Sequence, residues 1–188
     1  MSLTPGTSVA DSSQYRPDHY YRSGDLTELL QRWVSEHPEL LTIECVGKSY
    51  EGRDIWALTL TDASTGAHDS KPACFVDANI HVSVVTGVAT VLWLLNHIQT
   101  TAETSETIQR LLAQTTAYLI PAITVDGMEQ ILTGQPGDIR SSVRPFPHKE
   151  QQDGLVQEDI DGDGMITAMR LKDPAGPRKV SDLEGRGP

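Results

Sequence analysis

Cysteine is scarce in this chain of 188 residues: Cys45 and Cys74 are the whole supply. Two thiols are too few for a structural zinc site, which takes four ligands. Both fall in strand-like segments, so two buried free thiols are expected; a disulfide would require a proximity that spacing does not show. Clusters of Lys and Arg are also lacking, and the formal net charge is −11. Nucleic-acid phosphates reward dense positive charge, so general nucleic-acid binding is excluded. No long apolar run exists either. The richest, Val85 to Ile98, contains Asn96 and His97 and is too short to span a bilayer. The first fourteen residues carry no basic segment followed by an apolar one, so no export signal is visible and a cytoplasmic location is expected. No internal repeat stands out.

What is present reads as one soluble domain with a real core, given 38% apolar and 22% charged residues. Residues 1–22 read as a flexible or loosely docked arm. Asp25 is a good N-cap, with Glu28 at capping-box spacing. Leu26, Leu29, Leu30, Trp33 and Val34 then repeat at helical spacing until Pro38. Two strands are predicted over 42–46 and 55–60, joined by a loop carrying Gly47 and Gly52, as in an antiparallel hairpin. A third strand is predicted over 73–80, a helix over 85–98 with Val88, Val91, Leu92, Leu95 and Ile98 inward, a short helix over 106–114 and a fourth strand over 116–123. The tryptophans Trp33, Trp56 and Trp93 fall on apolar faces and read as core. This order gives an α/β fold with a mixed central sheet and flanking helices. Residues 23–126 form that core; residues 127–188, rich in Gly, Pro, Asp and Arg with little apolar periodicity, read as a loop insertion of the same domain.

The most informative stretch is Asp77-Ala78-Asn79-Ile80-His81-Val82-Ser83-Val84-Val85-Thr86-Gly87. A strand ends, a polar loop presents Asn79 and His81, and a helix begins. Ligands in open α/β sheets bind outside the carboxyl ends of strands, which suits His81 to chemistry. A single histidine there is more often a hydrogen-bonded structural residue.

Several separated motifs in the right order carry a resemblance. Tyr50-Glu51-Gly52-Arg53-Asp54-Ile55, Phe75 to Asn79 with Ile80-His81, Thr86-Gly87, Ile120-Pro121 and Val125-Asp126-Gly127 together resemble the zinc metallocarboxypeptidases of the carboxypeptidase A-like family. Arg140-Ser141-Ser142-Val143-Arg144-Pro145 and the acidic run after Asp153 are similar to an insertion of one bacterial branch. The resemblance covers residues 18–180 and implies an incomplete zinc-carboxypeptidase-like fold. It also implies a zinc site built by two His and one Glu, acting on peptide or protein C-termini through zinc-activated water; with the charge and the short apolar runs above, neither nucleic acid nor membrane is expected as a partner. His81 matches the first zinc ligand. The partner Glu falls on Val84, which has no donor atom. Arg144, or else Arg140, matches the oxyanion-stabilising arginine. The family's substrate-carboxylate Asn-Arg pair, second His and catalytic Glu would lie beyond Pro188. Thr124, Val125 and Ala122 also depart from the family's turn.

The run Asp159-Ile160-Asp161-Gly162-Asp163-Gly164 opens like a calcium loop, with carboxylates at Asp159, Asp161 and Asp163 and a glycine at the sixth position. Position twelve is Arg170 rather than the bidentate Glu, so a tight acidic turn is the competing reading. The expected function is a zinc metallocarboxypeptidase-like peptide hydrolase domain that is inactive alone. A non-catalytic peptide-binding or interaction module derived from the enzyme is the alternative.

Overall fold

The computed structural model describes residues 15–134, together with Arg140, Ser142, Val143 and Gly162. Contacts divide the chain into a unit Met1–Asp153 and a unit Gly154–Pro188; every element below belongs to the first.

Helix α1 (Ser23–Glu36) forms on the predicted periodicity and buries Leu26, Leu29, Leu30 and Trp33. Its start differs from the expectation. Asp25 lies inside the first turn, and Arg22 takes the N-cap position without a side-chain cap. The cap comes from elsewhere: the Ser23 amide donates to Glu129 Oε2 at 3.0 Å, from a residue 106 positions away. A carboxylate at a helix N-terminus satisfies an orphan N–H and complements the helix dipole, so a local cap became dispensable. The helix closes where His37 donates its amide to Trp33 O, just before Pro38. Of the N-terminal arm, residues 15–22 are described; Tyr21 is buried, and Tyr15 sits edge-on to Trp33 with ring centroids 5.5 Å apart.

Strands β1 (Leu41–Lys48) and β2 (Asp54–Leu60) form the antiparallel hairpin, in register from Leu41↔Leu60 to Lys48↔Asp54 with a shift between Cys45 and Gly47. Gly52 occupies the left-handed region at φ 85°, which the tight return requires. Strand β3 (Ala73–Asp77) runs parallel to β4 (Thr116–Ile120), and β4 runs antiparallel to β2, so the sheet is mixed with order β1-β2-β4-β3. Between β3 and β4 come α2 (Val85–Thr101) and α3 (Glu106–Gln114), the latter capped by the Ser105 hydroxyl. Val88, Val91, Leu92, Leu95 and Ile98 of α2 join the core as their spacing required.

Three expectations are corrected. Cys45 and Cys74 are exposed, not buried. They lie on strands at opposite edges of the sheet, three strand spacings or roughly 14 Å apart, beyond disulfide reach. The Cys45 thiol donates to Asp54 Oδ1 at 2.9 Å. Trp93 is 54% exposed rather than core, stacked on His97 at 5.3 Å. The inward stripe of α2 runs through Leu92 and Leu95, and Trp93, about 100° around the helix from Leu92, turns away from it. Lastly, a helix α4 (Val125–Leu132) stands where loop was expected, with Val125, Asp126, Gly127 and Met128 buried.

That helix is tied to the hairpin by charge. The Asp126 carboxylate accepts from Ser49 Oγ (2.6 Å), the Glu51 amide (3.0 Å) and Arg53 Nη1 (2.7 Å). Burial alone would raise its pKa; the hydrogen bonds from Ser49 and Glu51, then Arg53, outweigh that and hold it below its ordinary value. Glu129 likewise is raised by burial but lowered overall by Arg22 and the Ser23 amide.

Two outcomes are expected. In urea denaturation, Leu92→Ala should cost about 2–5 kcal/mol and Trp93→Ala under about 1 kcal/mol, since only the first empties a buried site. Asp126→Asn should cost about 1–3 kcal/mol at neutral pH. Because the folded pKa of Asp126 is depressed, its stabilisation is complete above the unfolded carboxylate value and disappears as pH falls through the folded one. The gap between wild type and Asp126→Asn should therefore close below about pH 4; a gap independent of pH would contradict the assignment.

Candidate functional site

The candidate site grows from the carboxyl end of β3. Ala78 extends the parallel ladder by donating its amide to Ile120 O at 3.0 Å, and the chain then reverses at Asn79, which adopts φ 59°. Asparagine tolerates that left-handed conformation better than other side-chain-bearing residues because its short amide bonds locally. Here it does so twice: Nδ2 donates to His81 O (3.3 Å) and Val82 O (3.1 Å). Its other face is held by Thr124, whose hydroxyl lies 2.5 Å from Asn79 O and 2.9 Å from Asn79 Oδ1. Asn79 and Thr124 thus clasp the two adjacent strand exits.

Below the clasp, residues 81–84 make a turn closed by the Val84 amide on His81 O at 2.9 Å. Val82 points inward and is fully buried. It packs on Gly127 so closely that a Cβ at that glycine would lie 2.3 Å from Val82 Cγ2, so only glycine fits there. The Val82 amide donates to Arg140 O at 2.8 Å, which brings residue 140 alongside the turn. Arg140 itself is exposed.

His81 is exposed and its ring has no hydrogen-bond partner among the described residues. Val84, at the N-cap position of α2, is 46% exposed and offers no side-chain cap. The fold therefore brings the predicted ligand position and its partner position into one turn, at the end of the sheet where ligands bind. What it brings together is one imidazole and one isopropyl group. Among the described residues no group of three or more His, Cys, Asp or Glu side chains is placed to hold a metal. A zinc first shell takes lone pairs from N, O or S, so these residues do not fit a zinc ion. Arg144 and the acidic run Asp159, Asp161 and Asp163 lie outside the described residues.

Sequence reading missed the anchoring set. Arg53 and Asp126 each sat in a recognised motif and Ser49 in the hairpin loop, but pairing across 73 to 77 positions leaves no local signal. Thr124 stood out only as a departure from the family's turn, and its hydroxyl now has two acceptors. A cleft of about 580 Å³ opens beside the start of α1, lined by Arg22, Asp25, Arg53, Asp54 and Glu129 among others. It does not include the His81 turn. Its arginines are paired with Glu129 and Asp126, and Asp54 with Lys48. No helix among the described residues is long and apolar enough to cross a membrane.

Comparison with known proteins agrees with this geometry. A family model described as zinc carboxypeptidase matches residues 26–153. A zinc carboxypeptidase of Saccharothrix mutabilis subsp. capreolus is 29% identical over 127 residues, covering 67% of this chain and 29% of that protein. Carboxypeptidase B of Astacus astacus is 31% identical over 114 residues, covering 61% and 35%. The chain thus spans about a third or less of the length of these relatives. Among solved structures, thrombin activatable fibrinolysis inhibitor superposes with a TM-score of 0.64 at 19% identity, over 76% of this chain and 34% of that one. Carboxypeptidase A from Helicoverpa armigera gives 0.57 at 21%, over 67% and 30%. At those identities the structural likeness speaks for the fold. With two thirds of the sequence under the family match and the His81 turn at the end of β3, the chain belongs to the zinc carboxypeptidase family.

Proposed function

We propose that this polypeptide is a metallocarboxypeptidase-like domain whose first metal-ligand turn is disarmed, so that the chain by itself holds no catalytic zinc at His81 and hydrolyses no peptide bond. The family reaction is removal of C-terminal residues by zinc-activated water, and peptide C-termini are the substrate class that this membership suggests. Arg144, with Arg140 as the alternative, is the candidate arginine for the developing oxyanion. The observation that carries the reading is Val84. It falls where the family resemblance expects the glutamate ligand, in the turn that its amide closes on His81, and its side chain is hydrocarbon.

A second reading rests on the exposure around the turn. Ile80 is 52% exposed and flanks His81 on the side opposite Val84 in sequence. Two solvent-facing apolar side chains around an imidazole suit contact with a peptide without chemistry, which is the non-catalytic binding module.

Isothermal titration with zinc tests the first reading. The wild-type chain should bind no zinc with micromolar or tighter Kd through His81. Val84→Glu should tighten binding by at least about tenfold, or roughly 1.4 kcal/mol, because one carboxylate joins the shell. Adding His81→Ala should remove that gain. Stoichiometric micromolar binding in the wild type that His81→Ala abolishes would refute the proposal. For the second reading, a peptide with a free C-terminus should shift amide resonances of residues 79–87 while zinc is absent; unshifted resonances would dismiss it.

A further inference from the structure

The loop between β2 and β3 ends at Lys71, whose side chain turns back into the molecule. Its ammonium donates to Asp62 O at 2.7 Å, Thr61 Oγ1 at 2.8 Å and Thr65 Oγ1 at 2.8 Å, and lies 3.3 Å from Leu112 O. An ammonium has three protons, and the three short bonds use them all. The two hydroxyls are oriented for this. Thr61 points its own proton toward the carbonyls of Leu112 and Thr115, and Thr65 toward those of Asp62 and Ala113. Their lone pairs are thereby left for Nζ.

The cage is entirely oxygen and entirely neutral. Asp62 contributes its carbonyl only; its carboxylate accepts instead from the Ser64 amide (2.9 Å) and hydroxyl (2.6 Å). Hard divalent ions are held by carboxylates, so this donor set suits a single positive charge. Leu112 lies in the last turn of α3, at the negative end of the helix dipole, and its carbonyl also accepts the Asp62 amide at 3.0 Å. The cage joins the stretch that follows β2, at Thr61 to Thr65, to the distant end of α3. Thr61 is buried, which places part of this shell out of water.

We infer that the oxygen cage formed by Thr61, Asp62, Thr65 and Leu112 is a monovalent-cation site whose resident ion is the chain's own Lys71 ammonium. It accepts free ammonium or potassium once that side chain is shortened. The inference is independent of the metal question at His81, since no residue is shared.

The test is thermal unfolding of full-length Lys71→Ala in chlorides of ammonium, potassium, lithium and N-methylglucamine at equal ionic strength. In N-methylglucamine the Tm should fall by about 3–8 °C relative to wild type. Ammonium or potassium should restore at least half of that loss. Lithium, smaller and more tightly hydrated, should not. Wild type should respond alike to all four salts, and so should Lys71→Met, whose side chain fills the cage with hydrocarbon. Folding of the alanine variant only in ammonium or potassium would support the site. An equal response to all four cations, failure to fold in every one, or the same selective rescue of Lys71→Met would each overturn it.

Discussion

The carboxylate of Asp126 stands where three parts of the molecule meet. It accepts from a hydroxyl, an amide and a guanidinium of the β1–β2 hairpin, while the next residue of its helix, Gly127, lies against Val82 beneath the His81 turn. An acid this buried is tolerated only when donors replace its lost hydration, and here there are three. Each donor comes from the hairpin loop, so loop and helix are located together. Glu129, one turn further along α4, repeats the device on the other side by capping α1 and pairing with Arg22. Hairpin, first helix and site turn are thus referenced to the same short helix.

On that support the turn itself is set by polar contacts of modest individual strength. Asn79 accepts a left-handed backbone and repays it with two hydrogen bonds to the carbonyls that follow, while Thr124 bonds it from the neighbouring strand exit. Thr124 departs from the family's turn, yet it is well bonded here. Its hydroxyl joins the exits of β3 and β4, and the geometry that would present His81 is maintained.

Against that order, position 84 is dissonant. Support, turn and exposed imidazole are all in place, and position 84 in the same turn carries an isopropyl group. Scaffold and chemistry have separable requirements: the scaffold asks for backbone hydrogen bonds and close packing, as between Val82 and Gly127, whereas metal binding asks for lone pairs at fixed points. A substitution at an exposed side chain such as Val84 meets little resistance from packing, so the fold does not depend on whether that side chain carries a donor atom.

Much of the architecture was legible beforehand. The apolar spacing of α1 and α2 and the glycine-bearing hairpin are local patterns, and local patterns are written in consecutive residues. The same holds for His81 and Val84, since a three-residue interval within one turn needs no partner from afar. What the sequence could not reveal depended on distant neighbours. The cap of α1 came from Glu129 and not Asp25; α4 formed where composition suggested loop, because Asp126 and Met128 found buried places; Trp93 faced water and both cysteines lay at sheet edges. By itself, then, the sequence determined most of the elements, α4 excepted, and the identity of the atoms at the site. Only the tertiary structure decided which groups would be buried, paired or exposed, because burial and charge pairing are properties of residues that the chain brings together and not of their order along it.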